Sequence, residues 1–377
     1  MKIIRIFIIT TLIILACCGR EKPSWRGTIK EINGVVFVKN PKTPLYTDKI
    51  IDFTEDLRIG SEDGPSEYIF TDIRGIAVND DENIYVGDYR ESHIKVFDKK
   101  GKFIQTIGKR GQGPGEIARI NFIQITGNND LMVFDQTSRR IHHYSQDGEF
   151  LRAIPIKHPF ISLRFDTKEY FYGKVSVNSP KNRTIELIKT DSDFTKIDTI
   201  AKVPITLIGQ PMLIFDQEIY FQMRYDRCLV YGNSEDYEIT IKSPDGRILK
   251  RISKAYKPVP ITRSDKKRIR KETRKEVGPD EKVNFTAHFP AFWSFTIDDQ
   301  GRIFVRTCSE ADWTGYLDKW PERANTYDIF DPEGKFIGKF SAEFFPRIWK
   351  KGKLYTIEVD EKGFQYVKRY QVDWKID

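Results

Sequence analysis

Histidine and cysteine are scarce in this chain of 377 residues, which has five of the first and four of the second. His93, His142, His143, His158 and His288 form no His-x-x-x-His pair, and there is no Cys-x-x-Cys. The spacings that usually hold zinc are therefore missing. His142 and His143 are neighbours in a strand-like run, so they point to opposite faces and cannot share a metal. No Gly-x-Ser-x-Gly elbow occurs, and no single serine stands out as a nucleophile. Long apolar runs are missing too. The longest, Ile6 to Ala16, is too short to span a bilayer comfortably. The net charge of +8 is mild and gives no concentrated basic surface of the kind nucleic acids need. No nucleic-acid partner is expected.

What the chain does have begins at its N-terminus. Met1 to Arg5 is a basic segment, followed by the apolar run and a small residue, the order of an export signal. Ile14-Leu15-Ala16-Cys17 resembles the bacterial lipobox. That resemblance implies cleavage after Ala16, a diacylglyceryl group on Cys17, and attachment to a membrane on the periplasmic or cell-surface side. Cys18 fits the pattern less well, and an ordinary secretory signal is the other reading. The expected division is a signal peptide over 1–16, a lipidated tether over 17–26 and a folded body over 27–377. Losing Lys2 and Arg5 lowers the net charge by two. Cys228 and Cys308 then remain. An oxidising compartment permits a bridge between them, and two buried free thiols are the alternative.

A body of about 350 residues is large for one simple core but suits a repeat architecture. Repeats are present. Asp88 to Phe103 and Asp135 to Phe150 align at a constant offset of 47, through Asp88/Asp135, Ile94/Ile141, Phe97/Tyr144, Gly101/Gly148 and Phe103/Phe150. Phe330, Gly334 and Phe336 repeat the pattern later, Gly246 and Ile248 supply a partial copy, and a degraded copy keeps Phe194 without the glycine. Each copy reads as a β-hairpin whose glycine accepts positive φ. Two more short alternating strands precede it, as in Ile73–Asp88 and Phe292–Thr307. Four short strands every 45–50 residues is the period of a propeller blade. The expected fold is all-β, a six-bladed β-propeller of four-stranded antiparallel blades, placed at about 72–108, 120–156, 161–201, 212–253, 292–340 and 345–374. The last blade is short of strands, so an N-terminal strand is expected to complete it and close the ring. Gly27–Pro41 is a strand pair available at that end. An open β-solenoid or a pair of sandwiches is the alternative, and the constant hairpin spacing argues against sandwiches.

Phe70–Gly108, "FTDIRGIAVNDDENIYVGDYRESHIKVFDKKGKFIQTIG", resembles the NHL repeat, and with the lipobox the chain is similar to bacterial six-bladed β-propeller lipoproteins. The first two blades carry the match well and the others loosely. This resemblance implies a fold more than an activity, because propellers host binding, scaffold, lyase and lactonase roles. Peptide-amidating lyases of this kind use histidine-bound zinc, which the histidine pattern disfavours. Lactonase-like propellers hold a divalent cation with Glu, Asn and Asp, and Asp88 and Asp135 stand at equivalent positions where such ligands could converge. A repeated Asp that caps the turn after the second strand is the structural reading of the same pair. No cofactor is expected beyond that divalent cation.

Residues 107–116, "IGKRGQGPGE", look like a phosphate-cradling loop. The preceding connection, "IGSEDGPSE", has the same frame with acids where Lys109 and Arg110 stand, and no helix follows. The stretch therefore reads as a link between blades. The irregular insertions are more informative. Arg224–Tyr237, Cys308–Ala324 and a basic helix over about 261–282 are expected to gather on one face of blades 4 and 5. The helix has start signals at Thr262 or Ser264 and a stop at Gly278-Pro279, and carries eight Lys or Arg between Arg263 and Lys275. It is either a solvated helix or a lid that attracts anionic ligands. Arg224, Tyr225, Arg227, Trp313 and Tyr316, with Arg90 and Arg139 approaching from blades 1 and 2, are the candidate ligand-binding residues. Aromatics with arginines suit a glycan, a peptide or an envelope protein. The expected function is a binding or interaction module, with a metal-assisted hydrolase, lactonase or lyase at the central channel as the alternative.

Overall fold

The computed structural model describes residues 24–166, 170–178, 183–205, 212–277, 283–307 and 325–376. Its strands form six antiparallel four-stranded blades in a ring. Blade 1 is Ile73–Val78, Ile84–Asp88, His93–Phe97 and Phe103–Ile107, and blade 2 is Ile120–Ile125, Leu131–Asp135, Arg140–Tyr144 and Phe150–Pro155. Blade 3 runs from Phe160–Phe165 to Ile197–Ile205, blade 4 from Ile219–Met223 to Ile248–Lys254, and blade 5 from Phe292–Ile297 to Phe336–Ala342. Blade 6 takes Ile348–Lys350, Lys353–Val359 and Gln365–Trp374 from the C-terminus and Ile51–Ile59 from the N-terminus.

The ring is closed by an N-terminal strand, as the sequence suggested, but the strand is Ile51–Ile59. It pairs antiparallel with Gln365–Trp374, from Ile51 opposite Trp374 to Ile59 opposite Val367. The hairpin Thr28–Ile32/Val35–Asn40 goes elsewhere. Val35–Asn40 lies parallel to Ile248–Lys254 and extends blade 4 to six strands. Asn40 fixes it there. Its buried amide donates to the carbonyls of Ser253 and Gly334, while its Oδ1 accepts from Phe336 N at 2.7 Å and from the Trp25 indole at 3.1 Å.

The core is divided among the seams, each with its own apolar cluster. Ile94, Ile107, Ile120 and Val133 fill the seam of blades 1 and 2, for example, and Val230, Ile239, Phe292 and Phe330 that of blades 4 and 5. Every blade is thus two faces of apolar side chains held by its neighbours. Turn chemistry follows the repeat. In blade 1 Gly101 has φ +81° and its N–H reaches Asp98 O at 2.9 Å. In the degraded copy Phe194 takes the glycine's place, with φ +58° and its N–H directed at Asp191 O, and so is not the counterpart of Phe103. A left-handed phenylalanine costs roughly 1–2 kcal/mol. Stacking on Phe171 with ring centroids 5.3 Å apart, in a buried position, offsets it.

The basic helix, α1 (Arg263–Val277), lies between blades 4 and 5 and is the one α-helix among the described residues. Thr262 is its N-cap: Thr262 Oγ1 accepts from Asp265 N, and Asp265 Oδ2 accepts in return from Thr262 N at 2.9 Å. Ile269 is fully buried, and the aliphatic stems of Lys266 and Arg270 bring their charges over the Phe285 ring. The helix is docked on the ring.

Candidate functional site

The upper face is the one on which the chain enters the first strand of each blade. Strand alternation puts the loops between second and third strands on that face as well. Turns after first and third strands fall on the lower face.

Asp88 and Asp135 end the second strands of blades 1 and 2, just below the upper face, and both are fully buried. Asp88 accepts from the N–H groups of Thr71 (2.7 Å), Arg90 (3.0 Å) and Glu91 (3.1 Å) and from the Thr71 hydroxyl. Asp135 accepts from Ala118 N (2.6 Å), Thr137 N and Ser138 N (3.0 Å each). Burial would raise the pKa of Asp135, but His142 and the Ser138 and Ala118 N–H groups lower it to about 2. Each carboxylate ties its own loop to the incoming inter-blade connection. Their lone pairs are committed to backbone donors, and among the described residues no group of three or more His, Cys, Asp or Glu could hold a metal ion.

The candidate ligand residues do not all share one face. Arg90 and Arg139 lie in upper-face loops, Arg90 exposed and Arg139 donating to Lys157 O at 3.3 Å. Arg224, Tyr225 and Arg227 sit in the turn after the first strand of blade 4, on the lower face, which corrects their expected place. Arg227 pairs there with Asp166 of blade 3 at 2.9 Å, Arg224 with Asp226, and Tyr225 is 69% exposed. The loop after the second strand of blade 4 is only the short link from Asn233 to Glu238. Cys228 is buried on the lower side, whereas Thr307 ends its strand on the upper side. Cys308, Trp313 and Tyr316, like Cys17, lie outside the described residues.

What the ring brings together instead is a set of arginines and aromatics around its centre. Arg164, in the first strand of blade 3, places its guanidinium 4.2 Å from the Phe122 ring centroid of blade 2. Arg347 stands just ahead of the first strand of blade 6, diametrically opposite blade 3. Burial, and then the positive charge of Arg347, lower the Arg164 pKa to about 10. Two arginines from opposite blades can influence each other only by reaching into the central channel. Protein surrounds Arg347 while solvent still reaches its side chain, and its pKa too is lowered by burial. No carboxylate counters either cation: neither has an ion pair among the described residues. Toward the upper mouth, Arg306 of blade 5 lies 4.6 Å from the Phe345 ring and close enough to Tyr220 of blade 4 to oppose the rise that burial imposes on its pKa. Burial outweighs that pull, and the Tyr220 pKa stays raised. Trp293 packs edge-on against Phe215 at 5.3 Å beside it.

No motif marks these residues in the sequence. Each is a lone cation or aromatic at a strand end, and only the ring places blades 3 and 6 face to face.

The fold defines a six-bladed β-propeller, with Arg164 and Arg347 set on opposite blades. Comparison with known proteins agrees on the fold. Residues 66–248, blades 1 to 3 and the first three strands of blade 4, match a domain of unknown function, DUF4934. The structure resembles a member of the DUF4221 family from Bacteroides vulgatus, at 9% identity and TM-score 0.54 over 86% of this chain and 99% of that one. It also resembles a protein of Bacteroides fragilis assigned as exported, at 12% identity and TM-score 0.57 over 90% and 100%. In sequence, 124 residues are 29% identical to Protein brain tumor of Drosophila melanogaster, which is 32% of this chain and only 12% of that protein's length. Among the described residues no helix is long and apolar enough to cross a membrane.

Proposed function

We propose that this chain is an exported, lipid-anchored binding module that takes its ligand or partner in the central channel. The observation that carries this reading is the pair Arg164 and Arg347, set on opposite blades with no carboxylate between them. Two like charges held in one partly desolvated channel repel, and a polar or anionic group placed between them relieves that cost. The aromatics nearer the upper end of the channel, Trp293 and Tyr220 among them, supply the flat surfaces that sugar rings and peptide side chains use. The connection from blade 4 to blade 5, which includes α1, also joins the ring at the upper face. An acidic glycan or an acidic peptide segment of an envelope protein fits these features.

The test is a screen of glycan and peptide arrays followed by two variants. Arg347→Glu is expected to weaken a true ligand at least tenfold, about 1.4 kcal/mol. Tyr225→Ala, on the lower face, is expected to leave affinity within twofold. Equal losses from both variants, or ligands indifferent to Arg347→Glu, would refute the assignment.

The anchor is a separate expectation. Within the expected tether of 17–26, Ser24 is seven residues on from Cys17, a reach of at most about 25 Å. The tether leads to the Trp25–Asn40 contact at the outer edge of blade 4, so that edge would stand nearest the bilayer. Cys17→Ala is expected to move the protein from the membrane pellet to the soluble fraction after cell lysis. A variant that still sediments with membranes and partitions into detergent would rule out lipidation at this cysteine.

A further inference from the structure

A second cationic site lies away from the channel, at the upper seam of blades 1 and 2. Tyr89, Arg90 and Ser92 of the loop between the second and third strands of blade 1 face Arg110 and Arg119 of the connection to blade 2. Together they line a cavity of about 320 Å³. Three of the five lining residues are arginines and none is a carboxylate.

Three of the neighbouring acids are already engaged, while Glu91, in the same loop as Arg90, has no ion pair among the described residues. Asp88 is held by backbone N–H groups, as described above, and Asp72 pairs with Arg74 at 2.9 Å. Glu116 is held inside the glycine-rich loop itself. Its Oε2 accepts from Gln112 N (3.0 Å) and Gly113 N (2.9 Å), and its Oε1 lies 3.1 Å from Lys109 Nζ. The loop that looks like a phosphate cradle does bind an oxyanion, and that oxyanion is its own glutamate. This leaves Arg110, next in the chain to Lys109, exposed at the cavity with no ion pair among the described residues.

The cavity is also pre-shaped. The Tyr89 ring has the Arg74 guanidinium 5.1 Å from its centroid and that of Arg119 at 5.2 Å, and its hydroxyl accepts from Arg119 Nη1 at 2.9 Å. Arg119 is thereby held in place with donors to spare. Buried Ser92 donates to Ala118 O at 2.8 Å and clasps the two walls together. A planar guanidinium fork held in place, with two exposed arginines free to close on the ligand, matches the oxygens of a tetrahedral anion.

We propose that this seam is an oxyanion-binding site for a sulfate or phosphate ester. It is independent of the channel reading, since no residue is shared between the two.

The experiment titrates inorganic sulfate and inorganic phosphate separately into the ¹⁵N-labelled protein at constant ionic strength, with chloride as the reference. The Nε–Hε resonances of the arginines are followed. Saturable shifts at Arg90, Arg110 and Arg119 with either anion support the site, and the anion that binds more tightly identifies the ester. Arg90→Ala with Arg110→Ala is expected to weaken binding at least tenfold, with an unchanged thermal transition because both side chains are exposed. Arg347→Glu is expected to leave it untouched, so a failed channel reading and a failed seam reading remain distinguishable. Shifts that grow without saturating, or a double variant that binds within twofold of the parent, would overturn the proposal.

Discussion

Asp328→Ala is expected to destabilise the propeller by about 3–5 kcal/mol and to lower its Tm by roughly 4–7 °C. Asp328 is completely buried in the third strand of blade 5. Its Oδ2 accepts from the Tyr237 hydroxyl at 2.5 Å and from Lys254 Nζ, both of blade 4, and Lys339 Nζ stands 3.5 Å from its Oδ1. Lys254 is itself enclosed, 4.6 Å from the Tyr237 ring centroid and 4.7 Å from that of Phe336. Burial lowers the Lys254 pKa against the opposing pull of Asp328. Burial, and then Asp328, hold the Tyr237 pKa well above its usual value. Removing the carboxylate leaves an ammonium and a phenol without a partner in the blade 4–5 seam. Asp328→Asn keeps an acceptor for Tyr237 but still strands the charge, so its cost should approach that of alanine. Replacing the pair together, Lys254→Met with Asp328→Leu, should recover much of the loss, because the penalty comes from the unpaired charge. Urea unfolding of the three variants checks this. An alanine variant within 1 kcal/mol of the parent would mean that the clasp contributes nothing to stability.

The hairpin glycines and the apolar alternation carried the six-bladed reading because both are local requirements: a turn that needs positive φ, and strands buried on both faces. Two long-range choices were not legible. Gly27–Pro41 reads as a strand pair, and nothing local tells that it will pair with blade 4 while Ile51–Ile59 closes the ring. Blade 4 shows how a single strand can mislead. The apolar Met212–Ile214 reads as its first strand, but it pairs in parallel with Val283–Phe285 outside the blade. Counting it moves every later strand of the blade by one, and a shift of one strand exchanges upper and lower faces. That is why Arg224, Tyr225 and Arg227 were expected beside the insertions and stand on the opposite rim. Arg164 and Arg347 are 183 positions apart, and only closure of the ring makes them neighbours.

The same closure carries the other large effect. A chain beginning at Lys42 is expected to fold, and one beginning at Gly60 is expected to lose cooperative unfolding. The first truncation removes the hairpin on blade 4 and the Asn40 contacts, which exposes one edge strand and lowers Tm but leaves every seam between blades closed. The second also removes Ile51–Ile59, and with it three buried isoleucines that serve two seams. Ile50 and Ile51 pack with Phe304, Ile329 and Leu354 between blades 5 and 6. Ile59 packs with Ile73, Phe97 and Tyr355 between blades 6 and 1. At roughly 2 kcal/mol for each buried side chain, the apolar loss alone rivals the net stability of a typical domain. The paired edge of Gln365–Trp374 would be opened as well, leaving blade 6 with three strands and the ring with a free end. Thermal unfolding followed by near-ultraviolet circular dichroism, sensitive to aromatics such as Tyr355 and Trp349 in these seams, separates the two truncations. A chain starting at Gly60 that still melts in one sharp transition would show that the blades hold together without the clasp. The ring would then be a stack of self-sufficient units, and the opposition of Arg164 to Arg347 would no longer be fixed by closure.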